Sequence, residues 1–237
     1  MQRRSPSSDV ARGADAMSIE IVFFDVGGVL YDDTVYARAW NRALREAGAR
    51  FTDGEFDDEY TAARAAQSGS FRRRLMARFL PDGDLRTLEA IAERFWRYPP
   101  SARYDDAIPC LEVLRGRYRL GVIANQPGEV RAAMARDGLA SFFEVWGISD
   151  ELGVGKPDPS LFELAASGAG VDPAAAVMIG DRLDYDVRPA KRVGMRAIWM
   201  LRGEAPDEPT AEQLSEADGA VRDLGALPAE LERVAAA

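Results

Sequence analysis

The chain has 237 residues, with 30 Lys and Arg against 39 Asp and Glu and a formal net charge of −9. Hydrophobic residues make up 47% and charged residues 29%, the balance of a soluble globular protein with one domain, or one domain carrying an insertion. The acidic charge argues against a nucleic-acid binder, and the absence of histidine excludes Ser–His–Asp hydrolysis, Cys–His hydrolysis and His-ligated zinc.

A single cysteine, Cys110, allows no internal disulfide, so a reducing cytoplasmic location is expected. Residues 1–17 are polar and are predicted to form a flexible tail, with Met17 as an alternative start. No apolar segment follows the N-terminal arginines, and no window reaches the ~18–20 apolar residues of a membrane span. We therefore expect neither an export signal nor a membrane partner.

Short apolar runs rich in β-branched residues predict five strands, namely Ile19–Asp25, Arg119–Ala124, Phe143–Ile148, Ala176–Gly180 and Arg196–Leu201. Helical patterns separate the later strands, at 107–117, 128–138, 159–168 and 186–194. This alternation predicts an α/β fold with a doubly wound, Rossmann-like parallel sheet. After a polar loop at 203–209, a short strand near residues 220–221 and a helix at 228–234 complete the predicted core.

The stretch from 33 to 104 contains no convincing strand. It predicts four helices instead, at Val35–Ala47, Asp53–Gln67, Phe71–Phe79 and Leu85–Trp96. We expect a small helical cap domain over 33–104, inserted into a core of residues 18–32 and 105–237. Its arginines (Arg64, Arg72, Arg73, Arg74 and Arg78) are interpreted mainly as a solvated face, and Trp40, Phe71 and Trp96 as cap-core residues.

Polar residues follow three of the predicted strands. Asp25 ends the first strand, and Gly27 and Gly28 come directly after it; Asn125 follows the second. The fourth strand is followed by Asp181, Asp184 and Asp186. Lys156 lies in the loop that leads into the predicted helix at 159–168, which comes before that strand. In open α/β sheets, ligands bind beyond the carboxyl ends of the strands, so these groups should share one crevice. A solvated surface lysine and ordinary helix capping by the aspartates are the competing interpretations.

Four segments together, FFDVGGVLYDD, IANQ, GVGKPDPSLFELA and IGDRLDYDVRPAKRVGM, resemble the haloacid dehalogenase (HAD) superfamily of hydrolases, in the branch with a helical cap after the first strand. The resemblance covers residues 19–201. It implies that Asp25 is the nucleophile and that Gly27, Gly28, Asn125 and Lys156 bind phosphate. Lys156 would also be catalytic, because it would neutralise the clustered carboxylates and hold the Asp25 and phosphoryl oxygens. Asp181 and Asp186 would hold Mg²⁺, together with Asp25 and the backbone carbonyl of Gly27. The substrate would be a small phosphorylated metabolite.

Two positions depart from the pattern of that superfamily. Its phosphatases carry a second aspartate two residues after the nucleophile, where this chain has Gly27, and Ser or Thr where it has Ala124. The first departure predicts a Mg²⁺-dependent phosphohydrolase that is limited to substrates with good leaving groups. Gly27→Asp would then raise turnover on simple alkyl phosphates. Alternatively, Asp32 or Asp33 could replace the missing acid. A 2-haloacid dehalogenase and a catalytically weak phospholigand- or partner-binding protein remain as alternatives. The chain is expected to be a monomer or a homodimer.

Overall fold

The computed structural model describes residues 18–96 and 98–236, so the predicted N-terminal tail lies outside the described residues. Its centre is a six-stranded, all-parallel sheet in the order β3-β2-β1-β4-β5-β6. The strands are β1 (Ile21–Phe24), β2 (Arg119–Ala124), β3 (Val145–Ile148), β4 (Ala176–Gly180), β5 (Arg196–Met200) and β6 (Gly219–Val221). The predicted doubly wound parallel sheet is confirmed, with β1 and β3 shorter at their ends than predicted.

Strand β1 lies in the middle of the sheet, and all four of its residues are fully buried. Ile21 and Phe23 pack into the hydrophobic core on one face of the sheet, whereas Val22 and Phe24 pack into the core on the other face. Successive side chains of a strand point to opposite faces, so a strand covered on both faces is apolar throughout.

Seven α-helices are found among the described residues after residue 104. They are α5 (Ala107–Leu114), α6 (Val130–Arg136), α7 (Ser149–Leu152), α8 (Pro159–Ala169), α9 (Arg188–Arg192), α10 (Ala211–Ser215) and α11 (Leu227–Ala235). The short α7 and α10 were not predicted, and the predicted helix at 186–194 is a π-helical turn, Leu183–Val187, followed by α9. Among the described residues, no helix is both long and apolar enough to cross a bilayer.

Among the described residues between β1 and α5, four α-helices are found: α1 (Thr34–Glu46), α2 (Asp53–Ala66), α3 (Phe71–Phe79) and α4 (Leu85–Phe95). Their apolar faces enclose a separate hydrophobic cluster that includes Trp40 and Phe71, as predicted. Trp96 differs from the prediction, because it packs against the core of the sheet and not within this cluster. It follows α4 at the point where the chain returns toward the sheet.

The helices α1–α4 are joined to the edge of the sheet by hydrogen bonds near the end of α2. The Gln67 side chain donates to the carbonyl of Glu204 (2.8 Å) and accepts from the N–H of Leu183 (2.9 Å). Arg64 donates to the carbonyl of Ala205 and pairs with Asp207 at 2.7 Å. A cleft of about 1340 Å³ lies between the helices and the carboxyl edge of the sheet.

Candidate active site

Three aspartates meet where neighbouring strands of the sheet end. Asp25 follows β1 and Asp181 follows β4, and β1 is paired with β4 along its whole length. Asp186 comes back to the same place through the π-helical turn that follows β4. Carboxylate oxygens of Asp25, Asp181 and Asp186 lie within 4.8 Å of one another. The chain crosses from one side of β1 to the other between these strands, which is the switch point where ligands bind in such sheets.

Lys156 is the cation of this cluster. Its Nζ lies 2.8 Å from Asp25 Oδ1 and 2.7 Å from Asp186 Oδ1, and its side chain is 3% exposed. The predicted contact between the lysine and the nucleophile candidate is thus present in the structure. A surface lysine would not be held between two carboxylates in this way.

Asn125 positions Lys156 through the backbone. Its amide donates to the Lys156 carbonyl (2.8 Å) and accepts from the Lys156 N–H (2.7 Å). Both the nitrogen and the oxygen of the Asn125 amide are therefore engaged with Lys156. Phosphate binding by Asn125 stays a prediction, and these two hydrogen bonds argue against it. Ala124 is buried at the end of β2 and provides no hydroxyl group there.

Burial and the repulsion of neighbouring carboxylates raise the pKa values of Asp25 and Asp181. Burial, opposed by Lys156 and supported by Asp186, raises the pKa of Asp25 to about 6. The pKa of Asp181 is raised well above its usual value by burial and by the neighbouring charges of Asp33, Asp186 and Asp25. The two carboxylates raise the pKa of Lys156 even though burial opposes its charge. One lysine thus faces more negative charge than it can neutralise.

Glycines allow the strand-end loops to approach Asp181 closely. A Cβ on Gly28, whose φ is +66°, would lie 1.9 Å from Asp181 Oδ2, and one on Gly203 would lie 2.4 Å from the same atom. The backbone N–H of Glu204 donates to Asp181 Oδ2 at 2.6 Å. Only residues without a side chain fit at these two positions, so the Gly28 backbone is placed directly against the carboxylate cluster.

Two residues near the cluster were not among the predicted site residues. Arg182 pairs with Asp184 at 2.8 Å and with Glu204 at 2.9 Å, and it donates to the carbonyl of Gly69 among the inserted helices. Asp184 is thereby drawn to Arg182 and away from the other three aspartates. Glu204 lies in the polar loop after β5, where no periodic pattern marked it. The three aspartates that follow the fourth strand, Asp181, Asp184 and Asp186, would have been the available signal for an arginine partner.

The predicted arginine-rich stretch does not form a single binding patch. Arg64 bonds to the loop after β5, Arg72 pairs with Glu89 at 2.7 Å, and Arg74 pairs with Glu59. Arg78 lies over the ring of Phe79 at 5.6 Å. Of the five arginines, Arg72 lines the cleft. These contacts agree with the interpretation as mainly a solvated face, and the ion pairs of Arg64, Arg72 and Arg74 are a further finding of the structure.

Comparisons with known proteins agree with this architecture. A model of the haloacid dehalogenase-like hydrolase family matches residues 19–194, and the chain belongs to that family. It is 34% identical to phosphoserine phosphatase of Thermus thermophilus over 73% of this chain and 71% of that protein. It is also 34% identical to glyceraldehyde 3-phosphate phosphatase of Methanopyrus kandleri, over 80% of this chain and 87% of that protein. A 2-haloacid dehalogenase structure from Pseudomonas syringae superposes with a TM-score of 0.59 at 27% identity, covering 91% and 99% of the two chains.

Proposed function

We propose that this hydrolase is a phosphatase that acts on a small phosphorylated metabolite by transferring the phosphoryl group to Asp25 and then to water. The observation that carries the proposal is the placement of Asp25 against Lys156, beside Asp181 and Asp186, at the mouth of a cleft. The two relatives named as phosphatases, which align over most of this chain, support the same assignment.

In this mechanism, each residue of the cluster has a separate role. A carboxylate oxygen of Asp25 attacks phosphorus, and the bond from phosphorus to the leaving oxygen breaks. Lys156 holds Asp25 Oδ1 in place and offsets the negative charge that gathers as the phosphoryl group approaches. The Gly28 backbone, free of any side chain, lies directly against Asp181. Its own N–H donates to the Tyr31 carbonyl at 2.8 Å, so phosphate binding by the Gly28 main chain stays a prediction.

The acidic cluster fits a magnesium ion. Its donors are carboxylate oxygens, the ligand type that this hard cation prefers, and Lys156 supplies a single positive charge against three aspartates. Asp25, Asp181 and Asp186 would hold the ion, with the Gly27 carbonyl as the further ligand that the family resemblance implies. When bound, the ion would offset charge on the phosphoryl oxygens. Helices α1–α4 would act as a cap that excludes water from the cleft.

A 2-haloacid dehalogenase is the second candidate. Halide leaves without a proton, so Gly27 in place of an acid would not matter, and one solved structure similar to this chain carries that name. Three clustered carboxylates favour the phosphatase, because dehalogenation needs no cation. A protein that only binds a phospholigand would have little use for a buried carboxylate paired with lysine.

The proposal is tested by phosphate release from alkyl phosphates, sugar 1-phosphates and acyl phosphates, with and without Mg²⁺. We expect Mg²⁺-dependent release by the wild-type chain and loss of at least ~10³-fold in Asp25→Asn, which is isosteric but not nucleophilic. Asp184→Asn is a matched control from the same loop that does not join the cluster. Halide release from 2-haloacids without phosphate release would instead establish the dehalogenase, and no release of either would favour a binding protein.

A further inference from the structure

The space where a side chain on residue 27 would lie is already filled by another carboxylate. A Cβ built on Gly27 would lie 2.2 Å from Oδ1, 2.7 Å from Oδ2 and 2.8 Å from Cγ of Asp33. By ordinary bond lengths and angles, the carboxylate oxygens of an aspartate lie ~2.4 Å from its own Cβ. The Asp33 carboxylate oxygens therefore stand about as far from position 27 as the carboxylate oxygens of an aspartate there would, within the space that its side chain would need.

The path of the chain explains how Asp33 reaches this position. The loop after β1 turns back on itself, because the N–H of Gly28 bonds to the carbonyl of Tyr31 at 2.8 Å. Asp33 then stands at the N-terminus of α1, where an aspartate usually accepts a hydrogen bond from its own helix. Its side chain makes no such bond. It lines the cleft beside Asp25, half-buried, instead of capping the helix.

The neighbouring Asp32 is excluded by its contacts. Its Oδ1 accepts from the Thr34 N–H at 2.9 Å and its Oδ2 accepts from the Thr34 hydroxyl at 2.7 Å. Both oxygens are thus engaged in the turn that starts α1, and Asp32 does not line the cleft. Of the two acids that the sequence offers after β1, Asp33 alone faces the site.

We propose that Asp33 is the general acid and base of this hydrolase and replaces the aspartate absent from position 27. This inference rests on the proposed phosphatase function. As Asp25 attacks phosphorus, the electron pair of the breaking bond passes to the leaving oxygen, and the Asp33 carboxyl group gives its proton to that oxygen. A water molecule then attacks the aspartyl-phosphate and gives its proton to the Asp33 carboxylate, while the bonding pair returns to Asp25 and inorganic phosphate leaves.

The same geometry changes the expectation for Gly27→Asp. The new Cβ would lie within 2.2 Å of Asp33 Oδ1, so two carboxyl groups would compete for one place. The single substitution is therefore not expected to improve turnover on alkyl phosphates, contrary to the expectation from the sequence. With aspartate at position 27, the space holds a single carboxyl group, as in the wild type, only when Asp33→Ala removes the other one.

The test compares kcat/KM on an alkyl phosphate and on an aryl phosphate with a good leaving group, in Mg²⁺. Asp33→Asn should lower the alkyl value by ~10²–10⁴-fold, the usual contribution of a general acid, and the aryl value by less than about tenfold. On the aryl substrate it should also release about one equivalent of phenol in a burst, because water attack lacks its base. The exchange variant should regain at least about tenfold on the alkyl phosphate.

Asp32→Asn is the matched control and should leave the ratio of the two kcat/KM values unchanged. An equal fall on both substrates in Asp33→Asn, or no fall on either, would overturn the role of Asp33 while leaving the phosphatase intact. Absence of phosphate release by the wild-type chain from either substrate would overturn both proposals. Thermal unfolding of each variant separates loss of the acid from loss of the fold.

Discussion

At the scale of the residue, Lys156 determines how much charge the site can accept. It is 3% exposed and contacts Asp25 and Asp186, while Asp181 belongs to the same cluster. Three carboxylates and one ammonium leave two negative charges when all are ionised, which is the charge that one divalent cation offsets. Lysine suits the position better than arginine, because a compact ammonium group fits between two carboxylates where a planar guanidinium would not.

Asp137 shows the effect of a partner on a carboxylate outside the site. Arg136 donates to both of its oxygens at 2.7 Å, and the Tyr31 hydroxyl donates to Oδ2 at 2.9 Å. The Arg136 hydrogen bond lowers the pKa of Asp137, supported by Tyr31 and opposed by burial. The folded state therefore favours the ionised carboxylate more strongly than the unfolded state does.

This shift predicts a pH dependence of stability. The contribution of Asp137 to the free energy of unfolding should be fully present above the usual pKa of 3.8 and lost as the pH falls through the lower folded value. Urea unfolding of the wild type and Asp137→Asn should thus differ most near pH ~7 and converge toward pH ~2. A difference that stays constant or widens in acid would contradict the assignment. Tyr31→Phe, which removes one of the hydrogen bonds, should show a smaller version of the same trend.

At the scale of the element, the end of α2 joins the inserted helices to the loops that carry the site. Gln67 is 1% exposed and has a φ of +45°, a left-handed conformation that costs a non-glycine residue ~1–2 kcal/mol. Its amide bonds to Leu183, two residues after Asp181, and to Glu204, whose N–H holds Asp181. The strained conformation is maintained because it brings the amide to both loops.

Removal of this amide should destabilise the protein. Gln67→Ala leaves the Leu183 N–H and the Glu204 carbonyl without their partner and should lower the free energy of unfolding by ~1–3 kcal/mol. Gln67→Gly removes the same hydrogen bonds, but glycine adopts the left-handed conformation without strain. Its free energy of unfolding should therefore fall by ~1 kcal/mol less than that of Gln67→Ala. Chemical denaturation measures both variants. A Gly variant more stable than the wild type, with Ala unchanged, would show that the hydrogen bonds contribute nothing.

At the scale of the whole molecule, the sheet and the aspartate–lysine cluster could be predicted from the sequence. The runs IVFF and AVMIG are apolar throughout, which identifies strands buried on both faces, and the strand-end rule then brings Asp25 and Asp181 together. The same rule put Lys156 in that crevice, and the family resemblance implied its role beside the carboxylates. The division into core and cap at residues 33 and 104 stays a prediction.

Other parts of the site could not be predicted, because they depend on the paths of loops. The sequence offered both Asp32 and Asp33 as substitute acids and could not choose between them. Asp33 comes close to Gly27 through a turn closed by a backbone hydrogen bond between Gly28 and Tyr31, and hydrophobic periodicity gives no indication of such a turn. Glu204 holds Asp181 through its main-chain N–H, a contact available to any non-proline residue. That residue 204 is a glutamate therefore does not indicate that its N–H binds Asp181.

The central claim is that Asp25 carries the phosphoryl group during turnover. It is tested most directly by mixing the protein with Mg²⁺ and an acyl or aryl phosphate, quenching in acid within the first turnovers, and locating any added phosphoryl group by peptide mass spectrometry. Asp33→Asn should accumulate more of this adduct than the wild type. We predict one phosphoryl group on the peptide that contains Asp25 and none in Asp25→Asn. Phosphate release without such an adduct, or an adduct on another residue, would contradict the mechanism.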